Sequence, residues 1–358
     1  MKLGYLSRHN ALDRNAFSGS SYYMYHSLRA NRSCSVRLLG DPRRPNRILD
    51  RLNKDRSNPG RVTGANFEGL DAIISLASTD LVCRFGQISS VPLIHCTDAT
   101  PKFLEEFYGT SVPAEAFEME RRAYERADLV LFSSDFMLKR ALSEFGAEFA
   151  PKMAALPWGA NLDSLPAASP RKPPLRPVRL LFMGKDWVRK GGDTVVATLR
   201  ELQARGVPAE LHLVGAQPDE VGSSEGIINH GYLNKNRRAD RATLERLLNS
   251  AHFLVLPTRA DCTPMVIAEA NSHGIPVLIS DVGGIGSLMR PGWNGEMLPL
   301  NASASDYADR LVALAVEPER YGALSRNSYR HFHENLTWTA WSKALIEMVE
   351  DRFGKNPS

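Results

Sequence analysis

The fold is decided by VRLLFMGKDWVRKGGDTVVATLRELQARG, residues 178–206. Apolar residues run through 178–183, a glycine-rich basic turn follows from Gly184, and Val195, Val196, Leu199 and Leu202 then recur at helical spacing. An unbroken apolar strand is one buried on both faces. The helix that follows presents one apolar stripe, and Gly206 suits the left-handed position just past its end. Strand, turn and helix in this order form the building unit of a covered parallel sheet.

The same alternation extends in both directions. Toward the C-terminus, 211–214, 252–256 and 276–279 read as strands, with helices at 241–249 and 266–272 between them. Toward the N-terminus, 72–76, 92–95 and 129–132 read as strands. Helices are expected over 111–127 and 134–145, opening on Ser111 and Ser134, whose hydroxyls suit the free N–H groups of a first turn. Residues 1–7 read as a first strand running into a loop, with a helix over 22–28. Pro166, Pro170, Pro173, Pro174 and Pro177 interrupt the pattern, because proline blocks both helix and central strand. The expected architecture is therefore α/β: two Rossmann-like, doubly wound parallel-sheet domains at 1–165 and 178–337 joined by a linker at 166–177. A last amphipathic helix, 338–358, carries Trp341, Leu345, Met348 and Val349 on one face. Two such sheets leave a cleft, and ligands of open α/β sheets bind beyond the carboxyl ends of the strands.

Length and composition agree. At ~150 residues per domain, 358 residues make two domains. Hydrophobic residues at 43% and charged residues at 23% exclude a disordered or collagen-like chain. No run of ~18 apolar residues is present to span a bilayer, and the N-terminus turns polar too soon for a signal peptide. Four cysteines (Cys34, Cys83, Cys96 and Cys262) form no C-x-x-C pair, so a cytoplasmic setting is expected. A net charge of +4 is too mild to imply a nucleic-acid partner.

Two strand ends carry the chemistry. After the 178–183 strand, Gly184, Lys185, Arg189, Lys190, Gly191 and Gly192 place glycines and three cations just before a helix, which suits a phosphate. The spacing is neither G-x-x-x-x-G-K-[ST] nor G-x-G-x-x-G, so it matches neither the P-loop nor the dinucleotide fingerprint. Gly19, within 17–21, is the matching glycine turn of the first half. After the 252–256 strand comes Asp261, then Thr263 as a helix cap, Pro264 as a first helical residue, Met265 and Val266 with outward N–H groups, and Glu269 less than two turns inside. Acceptor-only carboxylates suit sugar hydroxyls, and the free N–H groups suit hydroxyl or phosphate oxygens. His331-Phe332-His333-Glu334 lacks H-E-x-x-H spacing and reads as packing or surface, so no metal site is expected.

Together these motifs resemble the GT-B retaining glycosyltransferases of family four. Gly184, Lys185, Lys190 and Gly191 match that family's G-[RK]-x-x-x-x-K-G, and Asp261-x7-Glu269 matches its E-x7-E with Asp in the first place. Thr263-Pro264-Met265 replaces the commoner Phe-Gly-Leu. Further matches are 157–161, 274–277, 282–284 and Asn294-Gly295. The family's His-Glu-Pro loop is replaced by His95-Cys96-Thr97-Asp98-Ala99-Thr100, with Asp98 as the candidate acceptor-side residue.

The resemblance implies transfer of a sugar from a nucleotide diphosphate sugar to a glycan, lipid-linked or small-molecule acceptor with retention. Lys190 and Lys185 then stabilise the leaving diphosphate, Glu269 takes the ribose hydroxyls, Asp261 the sugar hydroxyls, and Tyr232 within 230–233 borders the base. No D-x-D occurs, so fixed cations replace a divalent metal and no cofactor is expected. No carboxylate nucleophile is evident near these motifs, which fits front-face departure and attack. Other GT-B enzymes, such as a phosphorylase or a nucleotide-sugar epimerase, and a non-catalytic nucleotide-sugar-binding protein are the alternatives. The last helix is expected to cross back to the first domain. One more segment, 43–61, carries Arg43, Arg44, Arg47, Arg51, Lys54, Arg56 and Arg61 beside apolar Ile48, Leu49 and Leu52. It fits either a solvated basic helix or peripheral contact with anionic lipid headgroups or an anionic acceptor.

Overall fold

The structure, a computed structural model, describes residues 1–39, 67–85, 90–168, 172, 174–215, 218, 221 and 224–354. The basic segment 43–61 lies outside the described residues. The chain divides into two units, Met1–Gly159 with Trp338–Ser358, and Ala160–Thr337.

The first unit holds a six-stranded parallel sheet of β1 (Lys2–Ser7), β2 (Ser35–Leu39), β3 (Ala72–Leu76), β4 (Leu93–Thr97), β5 (Leu129–Phe132) and β6 (Met153–Ala155), in the order β2-β1-β3-β4-β5-β6. Its helices are α1 (Ser20–Ala30), α2 (Thr79–Phe85), α3 (Pro101–Tyr108), α4 (Ala114–Arg126) and α5 (Asp135–Phe145). β3, β4 and β5 are buried along their whole length, as unbroken apolar runs require. Ser134 caps α5, its hydroxyl accepting from Met137 N at 3.2 Å. Ser111 does not cap α4. Pro113 takes the cap position with no side-chain bond, and a residue before proline is pushed out of the helical region, so α4 starts only at Ala114.

The second unit holds β7 (Val178–Gly184), β8 (Ala209–Gly215), β9 (Ile227–Asn229), β10 (Phe253–Leu256), β11 (Val277–Ser280) and β12 (Gly295–Leu298), all parallel, in the order β12-β11-β10-β7-β8-β9. Its helices are α6 (Trp187–Lys190), α7 (Gly192–Ala204), α8 (Arg238–Ser250), α9 (Met265–Ser272), α10 (Ala304–Val316) and α11 (Pro318–Asn335). Val195, Val196, Leu199 and Leu202 of α7 are buried, each contributing about 1.5–3 kcal/mol relative to exposure. Strand order reverses between β1 and β3 in one sheet and between β7 and β10 in the other. Such a reversal opens a crevice at the carboxyl ends of the two strands beside it.

The divide between the units falls at Gly159 and Ala160, before the proline stretch read as a linker. The stretch is hydrogen-bonded into the second unit: Tyr329 Oη donates to Pro166 O at 3.0 Å and Lys172 Nζ to Leu248 O at 2.7 Å. Proline bars regular structure, but it does not prevent an irregular segment from being anchored. A final helix, α12 (Trp338–Phe353), groups with the first unit. There Trp338 stacks on Trp158 and Asn31 Nδ2 donates to Ser342 Oγ at 3.4 Å. Among the described residues no helix is long and apolar enough to cross a membrane.

Candidate functional site

The loops after β7 and β10 are hydrogen-bonded to each other. Arg259 N donates to Arg189 O at 2.7 Å, and Arg189 Nη1 donates back to Ala260 O at 2.9 Å. Their approach depends on Gly191, where φ is +76°; a Cβ there would lie 2.0 Å from Pro257 O. Only glycine fits that contact and that backbone together. Asp186 caps the short α6 by accepting from Arg189 N at 3.1 Å. Burial works to raise the Asp186 pKa, but the hydrogen bonds and charge of Arg189, with the charge of Lys190, bring it below the usual range.

This joint brings Lys190 against Asp261: the ammonium donates to Asp261 Oδ2, and both side chains are largely buried. Lys185 points elsewhere, its Nζ lying 5.3 Å from the centre of the Tyr232 ring, a cation–π contact. Tyr232 keeps 51% of its surface exposed. Next to it, His230 Nε2 and His212 Nδ1 are 3.0 Å apart. Burial, then His212 and Arg246, hold the His230 pKa below the usual histidine value.

Glu269 lies on α9 and is only 3% exposed. Its Oε1 is 2.6 Å from Lys235 Nζ, which also donates to Asn161 O at 3.0 Å. Lys235 is the residue that sequence reasoning missed. It opens the basic run Lys235-Asn236-Arg237-Arg238, which reads as a solvated loop. The one available signal was its position just beyond the base segment 230–233. The start of α9 also departs from expectation. Pro264, with ψ of 96°, takes the cap position rather than the first helical one, so Thr263 stands one residue too early to cap. The helix begins at Met265 with no side-chain cap, and this leaves the first-turn N–H groups of Met265 and Val266 without that partner.

Gly19 and Asp98 belong to the first unit, beyond β1 and β4 respectively. Gly19 has φ of +100° and forms the cap of α1. Phe17 and Ser18 before it also have positive φ, at 50° and 56°, strain that persists only where surroundings hold it. The hold is visible: Phe17 stacks on His9 at 4.5 Å and meets Trp158 edge-on at 6.0 Å. Asp98 is half-buried. His331 is buried and its Nε2 lies 3.2 Å from Leu288 O, a packing role.

Residues 177–316 match the family model described as glycosyl transferases group 1. A D-inositol 3-phosphate glycosyltransferase of Rhodococcus opacus is 29% identical over 194 residues, covering 49% of this chain and 43% of the relative. The matched region thus spans less than half the length of that curated relative. Among solved structures, Anabaena HepE in complex with UDP is similar at a TM-score of 0.71 and 14% identity, over 98% of this chain and 100% of that one. A sucrose-phosphate synthase from Thermosynechococcus elongatus follows at 0.70 and 17%, over 99% of each chain. The fold is GT-B, and the resemblance drawn from the motifs is borne out by these likenesses.

Proposed function

We propose that this chain is a metal-independent, retaining glycosyltransferase, moving a sugar from a nucleotide diphosphate sugar to the hydroxyl of a glycan, a lipid-linked saccharide or a small molecule. One observation carries the reading: the meeting of Lys190 and Asp261 at two strand ends beside the strand-order reversal. A diphosphate gains negative charge as its glycosidic bond breaks, and a fixed ammonium stabilises that charge without a metal. When donor enters, a phosphate oxygen replaces Asp261 as the partner of Lys190, and Asp261 turns to the sugar hydroxyls. The acceptor then attacks from the face the diphosphate leaves, and a phosphate oxygen takes its proton. Lys185, over the Tyr232 ring, joins Lys190 in stabilising the leaving diphosphate, and Glu269 takes the ribose. The group 1 family match and the UDP held by HepE support this reading and favour uridine donors as the first to try.

The test is hydrolysis of UDP-, GDP- and ADP-sugars in excess EDTA without acceptor, with released nucleotide followed by chromatography and the sugar anomer by NMR. Slow release with retained configuration is expected. Complete loss in EDTA with recovery in Mg²⁺ or Mn²⁺ would contradict metal independence. Tight nucleotide binding with no turnover of any sugar would leave a binding protein.

A further inference from the structure

We infer that Lys235 is a positioning residue for nucleotide binding: it holds the Glu269 carboxylate in place, aimed at the ribose hydroxyls. The inference rests on the proposed ribose role of Glu269. Among the described residues Lys235 is the ion-pair partner of Glu269, at 2.6 Å. It is no loose surface lysine. Its ammonium is also held by the carbonyl of the fully buried Asn161, and its own carbonyl accepts from Arg241 Nη1 at 2.8 Å. Arg241 in turn pairs with Asp163 at 2.8 Å, so the loop bearing Lys235 is tied to the segment bearing Asn161. Asn234 N is fixed by Asp240 Oδ2 at 2.9 Å.

The Glu269 carboxylate keeps acceptor capacity for a ligand. A carboxylate accepts about four hydrogen bonds, and Lys235 uses one of them, on Oε1. A vicinal diol therefore binds alongside the lysine and does not have to displace it. Without Lys235, the buried carboxylate loses both its paired charge and the contact that fixes its orientation. Among the described residues no second ion pair to Glu269 is formed. His273, at the end of α9, is pushed down to about 4, first by burial and then by the charge of Lys172, and so is neutral near pH 7. α11 packs on α9 and contributes the uncharged Ser325, which donates to Gly274 O at 2.6 Å. Asn294, just before β12, donates to Asn271 Oδ1 at 2.7 Å.

The experiment titrates wild type, Lys235→Met, Lys235→Arg and Glu269→Gln by calorimetry from pH 6 to 8.5, with whichever of UDP, GDP and ADP the wild type binds tightest. Comparing each variant with wild type at the same pH cancels ionisation of the nucleotide. Lys235→Met is expected to bind about tenfold or more weaker across this range, because the Glu269 carboxylate loses the ammonium that holds it. Lys235→Arg, which keeps the charge, should stay within about threefold of wild type. Glu269→Gln should be weaker at every pH with a constant gap. Wild-type affinity in Lys235→Met, or an equal loss in Lys235→Arg, beside a weakened Glu269→Gln, overturns the role of Lys235 and leaves the ribose reading intact. Wild-type affinity in Glu269→Gln, or no binding of any of the three nucleotides, overturns the ribose reading and this inference with it. Should Lys235→Met fail to fold, Lys235→Gln, neutral and still able to donate to Asn161 O, takes its place in the same comparison.

Discussion

In the second unit, the buried carboxylates at the strand ends each face an ammonium: Asp261 faces Lys190 and Glu269 faces Lys235. The first unit treats buried polarity differently. Both ring nitrogens of His95 on β4, and the hydroxyl of Ser75, its register neighbour on β3, have no hydrogen-bond partner among the described residues. Glu120 on α4 is buried, with Thr79 Oγ1 donating to its Oε2 at 2.8 Å. An unpaired buried polar group costs stability, and a buried charge without a partner gives up its charge. Hence the second unit keeps an ammonium beside each carboxylate at the strand ends where a ligand is expected, whereas the first carries His95 and Ser75 inside without hydrogen bonds among the described residues. The contrast separates charge held for binding from polarity carried at the expense of stability.

The sharpest way to break the contrast is Lys190→Ala. Turnover should fall about a hundredfold or more, and donor affinity less, because the lost interaction strengthens as the diphosphate departs. Steady-state kinetics with the active nucleotide sugar measure both, and an unchanged rate removes Lys190 from the chemistry. Gly191→Ala attacks the joint itself. It should cost about 1–2 kcal/mol from the left-handed backbone alone, and more from the contact with Pro257 O, as urea unfolding would read. Wild-type stability there would mean the two loops need no close approach.

The first unit answers to pH. Burial raises the Glu120 pKa to about 7 from 4.5. Its folded form therefore holds a proton that the unfolded chain releases. The stabilisation is complete below about 4.5 and is lost as pH rises through about 7. His95, lowered to about 4 by burial, works in the opposite sense: its contribution is present above about 6.5 and lost as pH falls through about 4. Between pH 6 and 8 the Glu120 contribution should fall by about 1 kcal/mol, so across this window Glu120→Gln should lose about that much less stability than wild type in denaturant titrations. An unaltered slope would locate the proton elsewhere. The smallest effect is Ser134→Ala, which removes a cap from α5 and should cost about 0.5–1 kcal/mol. A neutral result would show that the bond to Met137 N adds nothing.

Much of this was legible in the sequence because the signals were local. Unbroken apolar runs gave away the buried parallel strands, and the spacing of Gly184, Lys190, Gly191, Asp261 and Glu269 marked the strand ends. What stayed hidden was long-range or carried by the backbone. Lys235 and Glu269 are separated by 34 positions, and a basic run in a loop resembles any solvated turn. The second partner of Lys235 is a carbonyl, which has no side-chain signature. Lys190 and Asp261 were each readable from their motifs, but not that they neutralise each other. The proline stretch looked like a linker because composition shows what cannot be helix or strand, not what Tyr329 and Lys172 tie down.

The central claim is that the second unit grips a nucleoside diphosphate, with Glu269 on the ribose. The most direct test crosses Glu269→Gln with a 2′,3′-dideoxy nucleotide in a four-way binding cycle. Each change alone removes charge-assisted hydrogen bonds worth roughly 1.5–3 kcal/mol and should weaken binding about ten- to a hundredfold. If both act on the same contact, the two together should lose little more than either alone. Losses that add in full would place Glu269 away from the ribose and contradict the account.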